Sequence, residues 1–511
     1  MLKKSLCLFL ALLMLSLSLA ACAKEKTPDE TTDTAESAKE TTPDENDPFA
    51  GVDFKGESFD IYTSVNQATV SMVSSNVFIE GSEELTGDAA LDTVLKRNDY
   101  VSELLDVNFT YAPADYNCEE VAAAVRQLVL SGDDTFELII NDMYGLVPIS
   151  PEGLFRNTLD EENFDFTAPW WYDDFMSDIS LNANMRFALA GDYFIDQLRT
   201  THCLVMNKDI YRDICGDPDE MYQDVIDRKW TLDRYIELNE LAHIDKNGNG
   251  ERDSEDQYGS IGWEVWGCLI PWVISGDPGF IERDAEGYPT ITIDNDKSYT
   301  LIEKLNTIFN NDASWVEMGN TEQDYNTMFT SGYGLFLWYQ RLASLESATL
   351  RQADVDLAVL PYPLRDSTQP DYVTSAHDTT EIGYIPVSVP GSSMPFVTTV
   401  IEVLCRETNR QVLPVYYESS LKIKYTRDKL SGQMIDIIHD HYGNGFALMW
   451  SLPLNGVFLH GTFLGCVREN SNAFASKCKK VLKTASRQLT NYINKSEDVI
   501  YEQKIQDEAG K

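Results

Sequence analysis

Hydrophobic and polar residues alternate with two different periods in the first folded part of the chain. Every second residue is apolar around Phe59–Ile61 and Val107–Tyr111, which indicates strands. Apolar residues recur at helical spacing over 91–105 and 121–129, and the apolar run Phe136–Ile140 indicates a buried strand. The order strand–helix–strand–helix–strand predicts a parallel α/β sheet.

Ligands of parallel α/β sheets bind beyond the carboxyl ends of the strands. The polar residues that follow the first and third predicted strands are therefore candidate ligand-binding residues. They are Ser64, Asn66, Gln67, Asn141, Asp142 and Tyr144. For each of them, an ordinary role in a loop is the alternative.

Further strands and helices are predicted along the rest of the chain. Apolar runs indicate strands over 203–206, 333–339 and 357–360. Thr231 is a predicted N-cap, with a helix after it. A long amphipathic helix closes the chain, because apolar residues recur at helical spacing from Phe474 to Ile493.

The N-terminal segment differs from this pattern. Lys3 and Lys4 precede an apolar run that is too short to span a membrane and that ends in Leu19-Ala20-Ala21-Cys22. These four residues resemble a lipobox, in which the cysteine receives a lipid and the peptide is cleaved before it. An ordinary signal peptide with a chance cysteine is the alternative.

Residues 22–48 contain almost no apolar side chains, so they predict a disordered acidic linker. Together with the lipobox, this linker predicts a protein tethered through Cys22 to the cell membrane. The folded part would then lie on the extracellular face, or in the periplasm if the organism has an outer membrane. Several acyl chains on one cysteine give a lasting anchor.

The composition narrows the classes of function. The chain carries 40 Lys and Arg against 83 Asp and Glu, a net charge of −43. Such an acidic surface repels phosphate backbones, which argues against nucleic-acid binding. The nine cysteines are scattered without a Cys-x-x-Cys pair, which disfavours a zinc ribbon or a dense disulfide framework.

Several short motifs, in this order, resemble one family. They are Arg97-Asn98, Val205-Met206-Asn207-Lys208, Trp230-Thr231-Leu232-Asp233 and Leu360-Pro361-Tyr362-Pro363. The chain resembles the extracellular solute-binding proteins (family 1) of ABC importers, in the carbohydrate-associated group related to maltose-binding protein. It departs from the family pattern at Met206, where Tyr is usual, and in the transposed Trp230-Thr231.

The resemblance implies an α/β fold with two discontinuous lobes joined by hinge strands, of the type II periplasmic-binding-protein kind. It also implies a carbohydrate ligand, an ABC permease as partner, and a monomer. The implied division of the chain is a signal peptide over 1–21, a linker over 22–48, a first lobe over 49–190 and 357–412, a second lobe over 191–356 and 413–495, and a tail over 496–511.

Residues 245–256 have the spacing of an EF-hand calcium loop, with oxygen-bearing side chains at the ligand positions and a glycine for the turn. Arg252 stands where an apolar residue usually anchors such a loop. The predicted Ca²⁺ is structural, and an Asn-Gly-rich turn is the alternative. The predicted metal ligands are Asp245, Asn247, Asn249, Glu251, Asp253 and Asp256.

Aromatic rings can stack on sugar rings, while amides and carboxylates bind their hydroxyl groups. By resemblance, Trp338, near the end of the apolar run over 333–339, has such a role, and core packing is the alternative for each aromatic residue. The candidates are Trp263, Trp266, Trp338, Tyr339 and Trp450. Asp192, beside the first implied crossing between the lobes, is a further candidate, with a solvated or hinge-bracing role as its alternative.

The chain shows no sequence motif for a catalytic nucleophile, a catalytic metal or a phosphate-binding loop. His439-Asp440-His441 is a weak metal motif at the end of a helical pattern. We therefore expect a binding protein and not an enzyme. A lipid-anchored glycan-processing hydrolase and a surface adhesion protein are the alternatives.

Overall fold

The strands in the described part of the chain form two main sheets and one small ribbon. The computed structural model describes residues 47–64, 78–114, 120–263, 266–317, 322–422 and 429–509. The strands within these ranges are β1 Glu57–Ser64, β2 Val107–Ala114, β3 Leu138–Asp142, β4 His202–Asn207, β5 Tyr258–Trp263, β6 Ile281–Arg283, β7 Pro289–Ile291, β8 Ser314–Glu317, β9 Gly334–Arg341, β10 Leu357–Leu360 and β11 Glu381–Tyr384.

The first sheet has the strand order β11-β3-β1-β2. Strand β1 is parallel to β2 and β3, with Ile61 opposite both Tyr111 and Leu138. The predicted parallel sheet is therefore confirmed. Strand β11, from much later in the chain, adds antiparallel to β3, so that Glu381 lies opposite Asp142.

The second sheet has the order β10-β4-β9-β5-β8. Strand β5 is parallel to β8 and β9, whereas β4 is antiparallel to both β9 and β10. Strands β6 and β7 form a separate antiparallel ribbon. The strands predicted over 203–206, 333–339 and 357–360 are all present.

Helices cover both sheets. The α-helices are α1 Ala89–Leu105, α2 Val121–Leu130, α3 Met143–Leu146, α4 Asp173–Ile179, α5 Asp196–Arg199, α6 Lys208–Cys215, α7 Asp219–Ile226, α8 Leu232–Leu241, α9 Ile270–Ser275, α10 Asp296–Phe309, α11 Glu322–Met328, α12 Ala348–Arg351, α13 Met394–Glu407, α14 Leu413–Tyr416, α15 Lys429–His439, α16 Gly445–Trp450, α17 Phe463–Arg468 and α18 Phe474–Ala509.

Short helical turns of other types connect these elements. The 3₁₀ turns are Val147–Glu152, Trp266–Leu269, Leu342–Glu346 and Gly391–Ser393, and the π turns are Phe329–Tyr333, Thr408–Val412 and Tyr417–Lys422.

Helix α1 shows how local sequence determines an element. The Asp88 carboxylate accepts hydrogen bonds from the first free N–H groups of the helix, at Ala90 and Leu91. The helix ends at Asp106, which adopts a left-handed conformation with φ 51°. Its buried face, which includes Val94 and Val101, packs into the core.

The chain crosses between the sheets at two segments that are far apart in sequence and lie side by side in the structure. Bridges join Leu189 to Gly383 and Thr201 to Ala376, so the two crossing segments run side by side. The first lobe was predicted to resume at residue 357. Strand β10 belongs to the second sheet, however, so the chain returns to the first sheet only after Leu360. The residues from 43 onward form one unit, with a hydrophobic core that includes side chains from both sheets.

The C-terminal residues also differ from the prediction. Residues 496–509, expected as a tail, continue helix α18, because Ile500 and Gln503 are buried against the body. The Gln503 side chain donates a hydrogen bond to the Phe155 carbonyl at 2.7 Å and accepts one from the Asn157 backbone at 2.9 Å. This end of the chain is therefore held by packing and polar contacts.

Cysteines in the described ranges are free thiols, and most of them are buried. They are Cys203, Cys215, Cys268, Cys405, Cys466 and Cys478. The buried cysteines pack as small apolar side chains. Within the same ranges, no helix has the length and apolarity needed to cross a bilayer.

Candidate functional site

Strand ends from both sheets meet where the chain crosses between them. The backbone N–H of Met143, after β3, donates to the Thr380 carbonyl at 2.8 Å. The backbone N–H of His377 donates to the Thr200 carbonyl at 3.1 Å, and that of His202 to the Ser375 carbonyl at 2.9 Å. These contacts bring polar side chains of both lobes together. We call these polar side chains the interlobe cluster. They are Asn141, Asp142, His202, Tyr339, His377 and Asp378.

Asp142 has one oxygen engaged and one free. Its Oδ1 accepts hydrogen bonds from the backbone N–H groups of Tyr144 and Gly145, at 2.7 and 3.2 Å, and so caps helix α3. Its Oδ2 is buried and has no hydrogen-bond partner among the described residues. Burial, reinforced by the Asp378 carboxylate, raises the pKa of Asp142 well above its usual range.

Asn141 has a similar unused group. Its Oδ1 accepts from the backbone N–H of Asp142 at 2.7 Å, while its Nδ2 is buried without a partner in the described part of the chain. Unpaired buried donors and acceptors are costly, at about 1–3 kcal/mol each. The free Asn141 donor and the free Asp142 acceptor are therefore suited to a hydroxyl-bearing ligand.

Tyr339 combines backbone strain with a position in the cluster. Its φ is 55°, a conformation that non-glycine residues rarely adopt inside a strand. Its hydroxyl lies 3.0 Å from Nε2 of His377, and its backbone N–H donates to the Tyr362 hydroxyl at 3.1 Å. A Cβ atom at Gly267 would lie 2.6 Å from the Tyr339 hydroxyl, so a glycine is needed there.

The histidines of the cluster differ in their environments. Burial, together with His377 and Arg341, lowers the pKa of His202 well below its usual range, so this ring is neutral. Nε2 of His202 is buried without a partner in the described ranges. Nδ1 of His377 lies 2.9 Å from an Asp378 carboxylate oxygen. The cluster thus offers carboxylate, hydroxyl and imidazole groups in one place.

The Asp378 carboxylate also affects the pKa of His460, which lies later in the chain. Burial lowers the pKa of His460, and the Asp378 carboxylate opposes that shift. His460 precedes α17, so three separate regions of sequence contribute to the surroundings of Asp378. No local motif marks His202, His377 or Asp378 as site residues, and reasoning from the sequence missed all three.

Asp192 lies on the crossing segment and is fully engaged by the protein. One carboxylate oxygen accepts from the Tyr172 hydroxyl and the other from Asn409 Nδ2, both at 2.7 Å. Burial raises the pKa of Asp192 to about 6. Both carboxylate oxygens of Asp192 are thus held by side chains of the protein.

The raised pKa of Asp192 predicts a defined pH dependence of stability. An unfolded aspartate has a pKa of about 3.9, so the folded chain binds more protons than the unfolded chain between about pH 4 and 6. The carboxyl therefore lowers the free energy of unfolding as pH rises through this window. The difference in this free energy between wild type and Asp192→Asn should fall from pH 4 to pH 6 and then stay constant.

Urea unfolding at four pH values from 4 to 7 measures this difference. The exposed Asp174 provides a matched Asp174→Asn control. A wild-type minus Asp192→Asn difference that is the same at all four pH values would contradict the assignment of the raised pKa.

The candidate tryptophans occupy different environments. Trp338 has no exposed surface, and its indole N–H donates to the Tyr235 hydroxyl. Trp450 is 1% exposed and donates to the Ile179 carbonyl at 2.9 Å. Both rings pack in the core and present no face to a ligand in this conformation, so we leave them out of the proposed site.

Trp263 is the aromatic candidate that lies beside the cluster. Its ring is partly buried, stacks on Tyr325 at a centroid distance of 6.3 Å, and meets the Tyr339 ring edge-on at the same distance. Tyr144 is half-buried in the turn that Asp142 caps. The remaining candidates, Cys22, Asn66, Gln67 and the side chains of Ser64 and Trp266, lie outside the described residues.

The loop over 245–256 has part of the geometry expected of a calcium loop. The backbone N–H groups of Gly248 and Gly250 donate to the Asp245 carboxylate at 2.7 and 2.9 Å. The carboxamides of Asn247 and Asn249 donate to the Asp253 carboxylate at 3.0 and 2.8 Å. The loop is thus held by its own hydrogen bonds.

The carboxylates of this loop are not gathered around one point. Asp256 is 1% exposed and accepts from the Lys246 backbone N–H at 3.2 Å. Within the described ranges, no three His, Cys, Asp or Glu side chains are arranged to hold a metal ion. Arg252, at the atypical position, anchors the loop instead, because its guanidinium lies 4.5 Å from the Trp315 ring centroid and donates to the Ser314 carbonyl at 2.8 Å.

The fold and the placement of this cluster define a class of protein architecture. Two α/β sheets, crossed by paired segments with polar groups between them, are the architecture of two-lobe solute-binding proteins. The sequence itself matches no protein-family model and no curated protein. Solved structures with a similar fold are known.

Three sugar-binding structures share the fold. The galacto-N-biose/lacto-N-biose I-binding protein of an ABC transporter from Bifidobacterium longum, in complex with lacto-N-biose, has a TM-score of 0.52 at 11% identity, over 86% of this chain and 98% of that one. An ABC transporter solute-binding protein from Thermotoga lettingae, bound with α-D-tagatose, gives 0.50 at 12%, over 86% and 100%.

The maltose/maltodextrin-binding domain MalE from Bdellovibrio bacteriovorus, bound to maltotriose, gives a TM-score of 0.50 at 12% identity, over 85% of this chain and all of that chain. At these identities the likeness concerns the fold. The expected two-lobe α/β architecture of the periplasmic-binding-protein kind is confirmed.

Proposed function

We propose that this chain is a lipid-anchored extracellular solute-binding protein that captures a carbohydrate between its lobes and delivers it to an ABC permease. The observation that carries the proposal is the interlobe cluster. It joins polar groups of both sheets, and it leaves the Asp142 oxygen and the Asn141 amide unpaired. A ligand that pairs with groups of both lobes favours the closed arrangement of the lobes.

The chemistry of the cluster favours an uncharged, hydroxyl-rich ligand. Asp142 and Asp378 are both buried, and Glu381 lies in register with Asp142. These buried carboxyl groups disfavour a further negative charge nearby, because burial and the Asp378 carboxylate already raise the pKa of Asp142, whereas their oxygens accept hydrogen bonds from sugar hydroxyl groups. The Trp263 ring beside Tyr339 provides apolar surface for the face of a pyranose. An oligosaccharide without carboxylate or sulfate groups fits best.

Isothermal titration calorimetry and tryptophan fluorescence with a panel of neutral oligosaccharides test the proposal. We expect saturable binding of at least one neutral oligosaccharide, and weaker or no binding of its uronate or sulfate analogue. If no member of the panel changes either signal, the solute-binding proposal is wrong. If the anionic analogues bind more tightly, the proposed chemistry of the ligand is wrong.

A glycan-processing hydrolase is the second candidate, because burial, reinforced by the Asp378 carboxylate, raises the pKa of Asp142. Glycosidases use such a pair of carboxyl groups, one of them protonated. Release of reducing ends from the bound oligosaccharide during overnight incubation would favour the hydrolase. Recovery of intact oligosaccharide would favour the binding protein.

The N-terminal segment supports the proposed lipid anchor. Leu19-Ala20-Ala21-Cys22 and the polar stretch over 22–48 are the sequence features that support lipid attachment. Cys22→Ala should move the protein from the membrane fraction into the soluble extracellular fraction, because the acyl chains hold it at the bilayer. Equal membrane retention of wild type and variant would contradict a lipid anchor at this cysteine.

We also propose that the loop over 245–256 binds a structural Ca²⁺ after its oxygen-bearing side chains turn toward the ion. Calcium should then raise the melting temperature of the wild type relative to chelator, because a bound ion stabilises the folded state. Asp245→Asn should remove that increase, whereas Glu255→Gln, outside the predicted ligand positions, should keep it. An increase of the same size in Asp245→Asn, or none in the wild type, would count against calcium.

A further inference from the structure

A surface groove separate from the interlobe cluster lies between helix α10 and the segment that leads into α18. Its volume is about 710 Å³. We call it the asparagine groove. Its lining residues include Tyr299, Glu303, Asn306, Asn310, Asn470 and Asn472.

One face of helix α10 forms one wall of the groove. Tyr299, Glu303, Asn306 and Asn310 recur at helical spacing, so they lie along one face of the helix. Two side chains of this face donate hydrogen bonds to the opposite wall of the groove. Asn306 Nδ2 donates to the Ser471 carbonyl at 3.4 Å, and Asn310 Nδ2 donates to the Val467 carbonyl at 3.3 Å. The two walls are therefore held together as one surface.

The lining is unusual for this chain. Asparagine accounts for five of its ten residues, and Glu303 is the one charged side chain among them. The whole chain, in contrast, carries a net charge of −43. A carboxamide presents a donor and an acceptor side by side, which matches neighbouring hydroxyl groups of a sugar. The groove thus selects a polar, uncharged ligand.

Tyr299 adds an exposed aromatic ring to the amides. The residue is 38% exposed, and its hydroxyl donates to Asp294 at 2.6 Å. The buried Phe474 ring braces it edge-to-face at a centroid distance of 5.6 Å. A ring fixed at its edge and its hydroxyl offers its free face for stacking, as in carbohydrate recognition.

We propose that the asparagine groove is a second carbohydrate site, which binds a segment of a neutral polysaccharide independently of the interlobe cluster. The amides of Asn470 and Asn472 pair with hydroxyl groups along one wall, and Tyr299 stacks on a sugar ring. Such a site would hold the tethered protein at an extended glycan while the interlobe cluster takes up a shorter oligosaccharide.

Affinity gel electrophoresis of the whole folded chain tests the proposal, with soluble xylan, mixed-linkage β-glucan, galactomannan and pullulan as probes. At least one of these polysaccharides should retard the wild type. The double variant Tyr299→Ala/Asn472→Ala should bind the same polysaccharide about tenfold more weakly, as expected for the loss of one stacked ring and one amide. Tyr299→Phe should keep the retardation, because the ring remains.

Two controls separate this site from other effects. Tyr501 is 68% exposed on α18, so Tyr501→Ala removes a comparable ring elsewhere and should migrate as wild type. Asp142→Asn, which alters the interlobe cluster, should also keep the retardation. The proposal is overturned if no polysaccharide retards the wild type, or if the double variant is retarded equally. Calorimetry with short oligosaccharides tests the interlobe cluster separately, so the two failures are distinguishable.

Discussion

Asp142→Asn is expected to weaken oligosaccharide binding about tenfold, the size that corresponds to the loss of one hydrogen bond to a buried neutral group. The substitution replaces the unpaired Oδ2 acceptor by an amide donor. It keeps the Oδ1 position that caps α3, since asparagine is as good an N-cap as aspartate. The melting temperature should therefore change little, while the dissociation constant from calorimetry rises.

Asp133→Asn is the matched control for this prediction. Asp133 also accepts a hydrogen bond from a backbone N–H group, that of Thr135 at 3.0 Å. It precedes β3, however, whereas Asp142 is the last residue of this strand. Its substitution should leave the affinity unchanged. If Asp142→Asn binds the ligand as tightly as Asp133→Asn, the unpaired oxygen has no part in binding.

Arg97→Leu is expected to lower the free energy of unfolding by about 3 kcal/mol, because it leaves several buried acceptors without a donor. The Arg97 guanidinium has no exposed surface and lies 4.8 Å from the Tyr193 ring centroid. It donates to the carbonyls of Phe78 and Ile79, at 3.2 and 3.0 Å, and to the Thr408 hydroxyl at 2.8 Å. One side chain thus joins three segments of the first lobe.

Urea unfolding of Arg97→Leu beside Lys96→Leu measures this effect. Lys96 is the preceding cation on the same helix, but it is exposed, so its substitution should change the free energy of unfolding by no more than about 0.5 kcal/mol. Equal stability of the two variants would mean that the hydrogen bonds of Arg97 contribute nothing net to the fold.

Local pattern was sufficient to predict most of the elements. The alternation around Phe59 and the helical spacing up to Leu105 depend on residues close together in sequence, and the structure has a strand and a helix there. Thr231 caps α8 as predicted, with its side chain accepting from the Arg234 backbone N–H. The end of α18 was missed because burial of Gln503 depends on Phe155 and Asn157, far away in sequence.

The candidate site was predicted only in part. Asn141 and Asp142 were identified because they follow a buried strand, and strand ends carry ligand sites in such sheets. Trp338 was selected for its residue type and position, but alternation along β9 turns its ring into the core beside Trp272 and Phe309. Short-range pattern does not show which face of a fully buried strand meets a ligand.

The sequence by itself determined the parallel arrangement of β1, β2 and β3, the acidic character of the chain and the N-terminal segment that predicts a lipid anchor. Tertiary structure alone decided that His202, Tyr339 and His377 meet the end of β3. The physical reason is that this meeting depends on two crossing segments paired through Leu189–Gly383 and Thr201–Ala376, nearly 200 residues apart along the chain. Contacts between such distant segments leave no periodicity in the sequence.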